Sequence, residues 1–409
     1  MKKFKIFLAS IAPGFFLIGY NIGTGSITTM ASSGASFGME LIWPLLLSCI
    51  FTYFLIVTFG RYTAITGNTI LFSFRKFFGK PVTIFVLISL LISEWVSCMG
   101  VMGIVTQIIQ EWSKPFFADS SGINPVISAL VFGALLYYLF WQGKHNFFEK
   151  ILVIFVTVMG ISFIATMFIV IPDPKEMING LIPRIPKNTE KLLLAASMVG
   201  TTMGAILYVV RSILVQEKGW KSSDLKLEKR DALISAGMMF VLSMAIMATA
   251  AGTLYPAGLK VDNAIDMVKL MEPIAGRFAI SVFVAGIVSA GLSSLFPIII
   301  LAPWLFADYN NKPRDMKSTQ SRLLVLIGVI LGFAVPIFGG RPVFVMIISQ
   351  SLAIIVTPLV LLLMLVIITR LAKTNNYPVT KWSNIFFGLI IIFTLIMAIA
   401  GISGIIGSF

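Results

Sequence analysis

Two short stretches of glycine and hydroxylic residues interrupt long apolar runs of this sequence. The first reads GTGS at residues 23–26, and the second reads GTTMG at residues 200–204. Glycine weakens a helix by about 1 kcal/mol relative to alanine and lets a ligand come close to the backbone. An unwound turn exposes carbonyl oxygens to a cation, while the N-terminus of the following helix favours an anion. Small residues also serve close packing between helices, but the matched pair favours two breaks at a binding site.

Around these breaks the sequence offers oxygen donors and a single sulfur. Hydroxyl, amide and carbonyl oxygens suit a hydrated ion, a monovalent ion or a small polar solute, whereas transition metals prefer anionic oxygen together with imidazole or sulfur. The donor set is therefore poor for a dehydrated Mn²⁺ or Fe²⁺ ion. The candidate binding residues are Asn21, Gly23, Thr24, Ser26, Thr201, Thr202, Met203 and Gly204.

Charged residues are rare in the apolar runs. Glu94, in ISEWVSCMG, is the one carboxylate that the sequence places deep inside a run, and Arg211 lies inside another. Burying such a group without a partner costs several kcal/mol, so each is a functional candidate by default. Arg211 is either a fixed charge at a gate or a side chain that extends to a membrane interface.

The composition identifies the elements that must position these residues. Of 409 residues, 58% are hydrophobic and only 12% are charged, and the mean hydropathy is +0.97. Apolar runs long enough to cross about 30 Å of hydrocarbon recur along the chain. The sequence therefore predicts an all-α polytopic membrane protein with eleven transmembrane helices, at residues 8–33, 41–64, 82–110, 123–141, 147–171, 191–216, 231–255, 275–305, 321–339, 342–369 and 384–407.

The two breaks fall at matching positions, in spans 1 and 6. Paired glycine-interrupted segments indicate an inverted-repeat transporter with its site near the middle of the membrane. The predicted arrangement is a five-plus-five inverted repeat, with spans 1–5 in residues 1–171, spans 6–10 in residues 172–370 and an additional span in residues 371–409. We expect the substrate to bind between the breaks of spans 1 and 6.

The distribution of basic residues predicts the orientation. Most of the 31 Lys and Arg residues fall in loops on the side of the N-terminus, which places that terminus in the cytoplasm and the C-terminus outside. We therefore expect an integral protein of a bacterial cytoplasmic membrane, with lipid and the transported ion or solute as partners. The formal charge of +14 comes from these loops and does not indicate a nucleic-acid partner. The oligomeric state stays open, and a monomer is compatible with the sequence.

The remaining reactive residues argue against an enzyme. Cys49 and Cys98 lie within apolar runs and are expected to be small buried side chains, and His145, the single histidine, lies in a loop. No phosphate-binding loop, HExxH, CxxC or nucleophile-elbow motif occurs. We expect no enzymatic activity and no cofactor.

Several blocks of the sequence resemble the Nramp divalent-metal transporters. The block APGFFLIGYNIGTGSITTMASSGASFGMELIWPLLLS at 12–48 is similar to the first two spans of that family, and RSILVQ at 211–216 is similar to the end of its sixth. SAGLSSLFPIIILAPWLFADY at 289–309 resembles its eighth span, and ISQSLAIIVTPLVLLL at 348–363 resembles its tenth. The resemblance implies a LeuT-like fold and metal transport by alternating access, in which spans 1, 2, 6 and 7 rock against the others.

The departures from the family fall on its metal ligands. The Asp-Pro-Gly-Asn motif of span 1 falls on GTGS. Met203 lies one residue from the family's Met position in span 6 and could substitute only if the break shifted register. The positions that hold the family's metal-binding Asp and Asn in span 1, its Ala, Met and His in span 6 and its Gln in span 10 are here Gly23, Ser26, Thr201, Gly204, Ile206 and Val356.

The resemblance also assigns roles to the charged residues. Glu94 occupies the first of two acidic positions on the family's proton route, and the second position is Ser97. Arg322 resembles one of the arginines that face this route, so we expect a buried Glu94–Arg322 pair that either relays charge or locks the bundle. Arg211 replaces a histidine, and an always-charged guanidinium cannot act as a pH switch near neutrality. These losses argue against proton coupling.

Three functions remain open at this point. The first is an Nramp-like secondary transporter that moves a metal cation through a site between spans 1 and 6. The second keeps the fold but carries a small non-metal polar solute, whose carboxylate would be held by Arg211 or by a helix N-terminus. The third is a membrane scaffold or receptor that has lost transport. Retention of both glycine-rich breaks favours transport.

Overall fold

A computed structural model of the chain describes residues 23–142, 172–184, 188–263, 277–374 and 380–408, together with a few isolated residues and runs of two or three between these ranges. Regular structure in the described residues is helical. We number the α-helices in chain order as α1 Thr24–Phe37, α2 Ile42–Thr66, α3 Ile70–Ser113, α4 Pro125–Gln142, α5 Pro174–Gly180, α6 Thr189–Met203, α7 Ala205–Glu217, α8 Leu225–Thr253, α9 Arg277–Asn310, α10 Thr319–Gly332, α11 Ala334–Phe338, α12 Pro342–Lys373 and α13 Lys381–Ile406.

The described residues contain nine helical segments that are long and apolar enough to cross a membrane, with α6 and α7 counted as one and α10 and α11 as another. They coincide with nine of the predicted spans. The two remaining predicted spans, 8–33 and 147–171, fall mostly outside the described residues, and so does His145. Of the first span the structure describes α1, which begins after Gly23.

The third span extends further than the sequence predicts. Helix α3 begins at Ile70, within a predicted loop, and is interrupted at Gly79, where φ is +83° and ψ is 177°. A residue with a side chain rarely adopts this backbone conformation, and Pro81 then restarts the helix near its N-terminus, where a missing N–H is tolerated. The segment before Gly79 is therefore a separate short helix, and the span proper matches the prediction.

The predicted break in span 6 is confined to one residue. Residues 200–203 are helical, and Gly204 alone, with φ −54° and ψ 136°, separates α6 from α7. A Cβ at Gly204 would lie 2.8 Å from the carbonyl oxygen of Gly200, so lack of space explains the glycine. The amide of Ala205 is freed by the break and donates to Thr357 Oγ1 at 3.0 Å.

Gly200 serves helix packing rather than the break. A Cβ at this position would collide with the backbone carbonyl of Gln350 on α12. The glycine therefore lets α6 and α12 come into backbone contact, as small residues do at helix interfaces in membranes. Helix packing and a helix break both occur in GTTMG, because Gly200 packs against α12 and Gly204 breaks the helix.

The broken helix lies at the centre of the bundle. The α6–α7 segment is buried along its full apolar length, and α1 is buried from Thr24 to Ala35. Helices α3 and α12 pack against each other, α12 also packs on α6, and α8 packs on α1 and α2. By contrast, α4, α10 and α13 carry many exposed isoleucine and leucine side chains, as expected for faces that contact lipid.

Candidate functional site

A small cavity of about 30 Å³ lies between α1, α3, α6, α7, α9 and α12. Such a volume holds about one or two water molecules. Several of its lining groups are polar although the surrounding bundle is apolar. The lining residues that could contact a ligand are Gly25, Glu94, Thr201, Gly204, Met346 and Gln350, with hydroxyls from Ser93, Ser97, Ser294 and Ser349.

Gly25 on α1 leaves the space that two α12 side chains occupy. A Cβ at Gly25 would lie 2.7 Å from Met346 Cε and 2.8 Å from Gln350 Nε2. Non-bonded carbon and nitrogen atoms do not approach so closely. The ends of Met346 and Gln350 therefore reach the cavity because residue 25 has no side chain.

The face of α3 that lines the cavity supplies a carboxylate and hydroxyls. Glu94 and Ser97 are three residues apart and share one face of the helix, and both are buried. Ser97 Oγ donates to Met346 Sδ at 3.8 Å, which joins the α3 face to α12. Among the described lining residues, Glu94 is the one carboxylate.

The amide of Gln350 is oriented by its neighbours on α12. Gln350 Nε2 donates to Ser349 Oγ at 3.2 Å, and Ser349 Oγ donates to the carbonyl of Met346 at 2.7 Å. Because the amide nitrogen is used as a donor, the amide oxygen is available to a cation in the cavity. Met346 itself contributes a thioether, a weak but polarizable ligand.

Three of the residues predicted from the sequence line this cavity. They are Thr201 and Gly204 at the break of span 6, and Glu94 on α3. Asn21 lies outside the described residues. Gly23 is the N-cap of α1, with its carbonyl accepting from the amide of Ile27 at 3.1 Å.

Four other predicted residues point away from the lining. Thr202 Oγ1 donates to the carbonyl of Met198 at 2.6 Å, and Ser26 Oγ lies 3.5 Å from Ser243 Oγ on α8. Thr24 and Met203 are fully buried outside the cavity lining. In this conformation the hydroxyls and sulfur predicted from the two breaks are mostly used in helix packing.

The predicted Glu94–Arg322 pair does not form. The Arg322 guanidinium lies over the ring of Trp141 on α4, 3.5 Å from its centroid, and its side chain is partly exposed. Glu94 faces the central cavity. An aromatic face attracts a guanidinium, so Arg322, at the first turn of α10, is held at the edge of the bundle.

Arg211 neither extends to an interface nor lines the cavity. It is fully buried on α7 and forms ion pairs with Asp231 and, at 3.3 Å, with Glu228. Its guanidinium also lies 5.3 Å from the ring centroid of Trp220. We call Arg211, Glu228 and Asp231 the α7–α8 ionic cluster. Burial between two carboxylates explains why the guanidinium does not reach the interface.

Glu94 is therefore not the only deeply buried carboxylate. Glu228 and Asp231 are fully buried on α8. Asp308 on α9 accepts from Thr69 Oγ1 and from the amides of Leu71 and Phe72, at 3.3 and 3.2 Å. A carboxylate at the first turn of α3 satisfies amides that have no partner within the helix and favours the positive end of its dipole. These acids lie near the ends of predicted spans and were not recognised there.

The sequence interpretation also missed Met346 and Gln350. It placed the family's span-10 glutamine position on Val356, which is buried but lies outside the lining of the cavity. Gln350 lies six residues earlier, in the polar sequence SQS within an otherwise apolar run. That polar interruption was the available signal, because a membrane helix places polar side chains towards the bundle interior.

The family profile described as natural resistance-associated macrophage protein-like matches residues 14–404. The chain belongs to the Nramp family. A divalent metal cation transporter MntH from Caldanaerobacter subterraneus subsp. tengcongensis is 22% identical over 97% of this chain and 93% of that protein. Another MntH, from Clostridium acetobutylicum, is 25% identical over 90% of this chain and 84% of that protein.

Solved structures support the same Nramp fold. The manganese transporter of Eremococcus coleocola, solved in complex with an aromatic bis-isothiourea substituted compound, matches this chain with a TM-score of 0.76 and 15% sequence identity. The match covers 98% of this chain and 88% of that chain. MhsT in complex with L-phenylalanine has a TM-score of 0.61 at 17% identity, covering 98% of this chain and 97% of that chain. The second likeness shows that the bundle is LeuT-like. The relatives are transporters, and the prediction that this chain is not an enzyme is confirmed.

The ionisable side chains of the described residues do not form a cluster of metal ligands. Within the described ranges no group of three or more His, Cys, Asp or Glu residues is arranged to hold a metal ion. A cation in the central cavity would therefore meet one carboxylate together with neutral oxygen and sulfur donors. Such a donor set binds more weakly than a site with several anionic ligands.

Proposed function

We propose that the protein is a secondary transporter that moves a metal cation by alternating access through the central cavity. The observation that carries this proposal is that one polar cavity is lined by both glycine-rich segments, at Gly25 and Gly204, and by the carboxylate of Glu94. Membership of the Nramp family supports it, as do relatives named as divalent metal cation and manganese transporters.

The size of the cavity favours an ion over an organic solute. A volume of about 30 Å³ suits a cation with at most one or two waters, whereas an amino acid needs a much larger space. Loss of the family's charged ligands supports the rival cargo, a small non-metal polar solute. It equally supports a scaffold or receptor without transport. Glu94, facing the same cavity as Gln350, would attract a cation, which favours the ion.

The proposed architecture has eleven spans in a five-plus-five inverted repeat, with residues 1–171 and 172–370 as the two repeats and 371–409 as an additional span. The N-terminus would lie in the cytoplasm of a bacterial cell and the C-terminus outside, because basic residues concentrate in the loops on the N-terminal side. The helices of spans 1, 2, 6 and 7, which are α1, α2, α6, α7 and α8, would then move against the rest of the bundle.

The contacts at the cytoplasmic end support a state that is closed there. Gln216 Nε2 on α7 donates to the carbonyl of Gly67 at 3.0 Å, and Glu217 forms an ion pair with Arg314 at 3.1 Å. Toward the other end of α6 lies a cavity of about 390 Å³. Its charged and hydroxylic lining includes Ser32, Glu190, Lys260, Asp262, Arg341 and Ser408. We propose that the cation enters from this outer cavity.

Reconstitution of the full chain in liposomes tests the proposed function. Uptake of Mn²⁺, Cd²⁺, Mg²⁺ and Ca²⁺ and of a panel of amino acids would be measured beside protein-free liposomes. A Gly25→Leu variant provides a blocked control, because its side chain would fill the cavity. We expect divalent-cation uptake by the native chain and none by the variant. Uptake of an organic solute without any metal uptake would support the second function, and no uptake at all would support the scaffold.

A further inference from the structure

The two sides of the central cavity differ in the ligands they offer. On the side of α1, α6 and α7, Gly25 and Gly204 have no side chain, and Thr201 contributes one hydroxyl. The other predicted side-chain donors of this side that the structure describes, Thr24, Ser26, Thr202 and Met203, are buried outside the cavity lining. Among the described residues, a cation therefore finds backbone and one hydroxyl on the side where the family resemblance places the metal ligands.

The opposite side carries the chemistry of a metal site. Helix α3 presents the carboxylate of Glu94, and α12 presents the thioether of Met346 and the amide of Gln350. Ser97 Oγ lies 3.8 Å from Met346 Sδ, so the α3 and α12 donors are adjacent. Ser349 holds the amide nitrogen of Gln350 at 3.2 Å, which leaves the amide oxygen as a ligand.

The glycines on the first side and the donors on the second side are complementary. Met346 and Gln350 occupy the volume that a side chain at residue 25 would fill. The thioether that the resemblance places at residue 204 of span 6 is absent there, and a thioether from α12 lies in the same cavity. The carboxylate expected at residue 23 is also absent, and Glu94 is the acidic group that lines the cavity.

We infer that the transported cation is bound by Glu94, Met346 and Gln350, on α3 and α12, instead of by the residues at the two breaks. This inference rests on the proposed function. One carboxylate with an amide oxygen and a thioether suits a divalent ion of borderline or soft character, because thioether ligands select softer metals while carboxylate and carbonyl oxygens accept Mn²⁺ as well as Mg²⁺ and Ca²⁺. The site should therefore prefer Cd²⁺ to Mg²⁺ and Ca²⁺.

Equilibrium binding to the purified full chain in nanodiscs tests the placement. Cd²⁺ and Mg²⁺ would be titrated calorimetrically into the native protein and into two methionine variants of matched chemistry. Met346→Leu removes the sulfur in the cavity, and Met203→Leu removes the sulfur of the buried methionine outside it. Thermal unfolding of each variant would establish that it is folded.

We expect Met346→Leu to weaken Cd²⁺ binding on the order of 10–100-fold, the range seen when a group that supports a metal is lost, with a much smaller change for Mg²⁺. Met203→Leu should leave the affinity for both metals unchanged. Glu94→Gln should remove measurable binding of both ions, because it removes the negative charge. Loss of Cd²⁺ affinity in Met203→Leu with none in Met346→Leu would overturn the placement.

The outcomes separate this inference from the proposed function. Native protein that binds and transports divalent metal, combined with unchanged metal affinity in Met346→Leu and Glu94→Gln, would refute the placement and keep the transporter. Native protein that neither binds nor transports any divalent metal would refute both. An anomalous-scattering peak for Cd²⁺ next to Met346 Sδ in a crystal would place the ion directly.

Discussion

The central cavity and the α7–α8 ionic cluster differ in the groups that surround their buried charges. In the cavity, one carboxylate lies among hydroxyls, an amide and a thioether, with space for a small ion. In the cluster, a fully buried guanidinium contacts two fully buried carboxylates, and a Cβ at residue 60 would collide with Glu228. The cavity is thus suited to exchange a ligand. The cluster is closed and its charges are paired within the protein, although Arg211 Nε and Glu228 Oε2 have no hydrogen-bond partner among the described residues.

We therefore assign ion binding to the cavity, and to the cluster a locking role in which it stabilises the helix bundle. A buried ion pair adds little net stability relative to apolar residues, but removal of one partner leaves an uncompensated charge. The cluster joins the middle of α7 to the first turns of α8, so its loss should destabilise the bundle. A change in the cavity should instead alter ion binding while the fold survives.

The largest effect is expected from Arg211→Met. The substitution leaves Glu228 and Asp231 buried without their cation, which should cost about 3–5 kcal/mol of unfolding free energy. Thermal unfolding of detergent-solubilised protein would show a strongly lowered Tm or loss of folded protein. The combined variant Arg211→Met, Glu228→Leu and Asp231→Leu should recover most of that stability, because no uncompensated charge remains. If the Arg211→Met protein were as stable as the native chain, the locking role would be contradicted.

The substitution Gly25→Ala in the cavity should have little effect on stability but a large effect on metal affinity. The added Cβ meets Met346 Cε and Gln350 Nε2, which are the ends of flexible side chains and can move aside. Stability should therefore change by no more than about 0.5–1 kcal/mol. Divalent-metal affinity should fall on the order of tenfold or more, because both α12 donors leave their positions. Gly237→Ala, where no atom lies within 4 Å of the added Cβ, is the matched control. Retained metal affinity in Gly25→Ala would show that the α12 side chains are not ligands.

Asp308→Asn tests whether a second buried charge, at the start of α3, also stabilises the bundle. The carboxylate accepts from Thr69 and from two amides at the start of α3, and an amide side chain retains part of this bonding. The loss of charge at the helix N-terminus should cost about 0.5–2 kcal/mol. Comparison of the Tm with that of Asp262→Asn, an exposed loop residue, would isolate the effect of burial. Equal Tm values for the two variants would argue against a locking role for Asp308.

The sequence was sufficient for most of the fold. Apolar runs long enough to span a bilayer predicted nine helices that the described residues contain, because hydrophobic length is the dominant constraint on a membrane helix. The kink at Gly79 and the short helix before it were missed, since charged residues at that end were interpreted as a loop. The family resemblance also predicted the membership that the full-length comparison confirms.

The site was less accessible to prediction. The breaks located Gly25, Thr201 and Gly204, but sequence spacing does not show which hydroxyls face inward at a broken helix. Met346 and Gln350 come from a helix more than 100 residues away from span 6 along the chain, and their role depends on the missing side chain at residue 25. The α7–α8 ionic cluster was missed because its carboxylates lie at a predicted span end, where charges are ordinarily solvated.

The smallest expected effect is that of a pH gradient on metal uptake. Within the described lining, Glu94 is the one acidic or basic side chain, and Arg211, which stands at a histidine position of the family, keeps its charge. An inward proton gradient should therefore change the initial rate of divalent-cation uptake by no more than about twofold. Liposomes with an ionophore that collapses the gradient provide the control. A rate that rises several-fold with the gradient and loses this rise with the ionophore would show proton coupling and contradict this prediction; loss of the rise in Glu94→Gln would then identify Glu94 as the proton carrier.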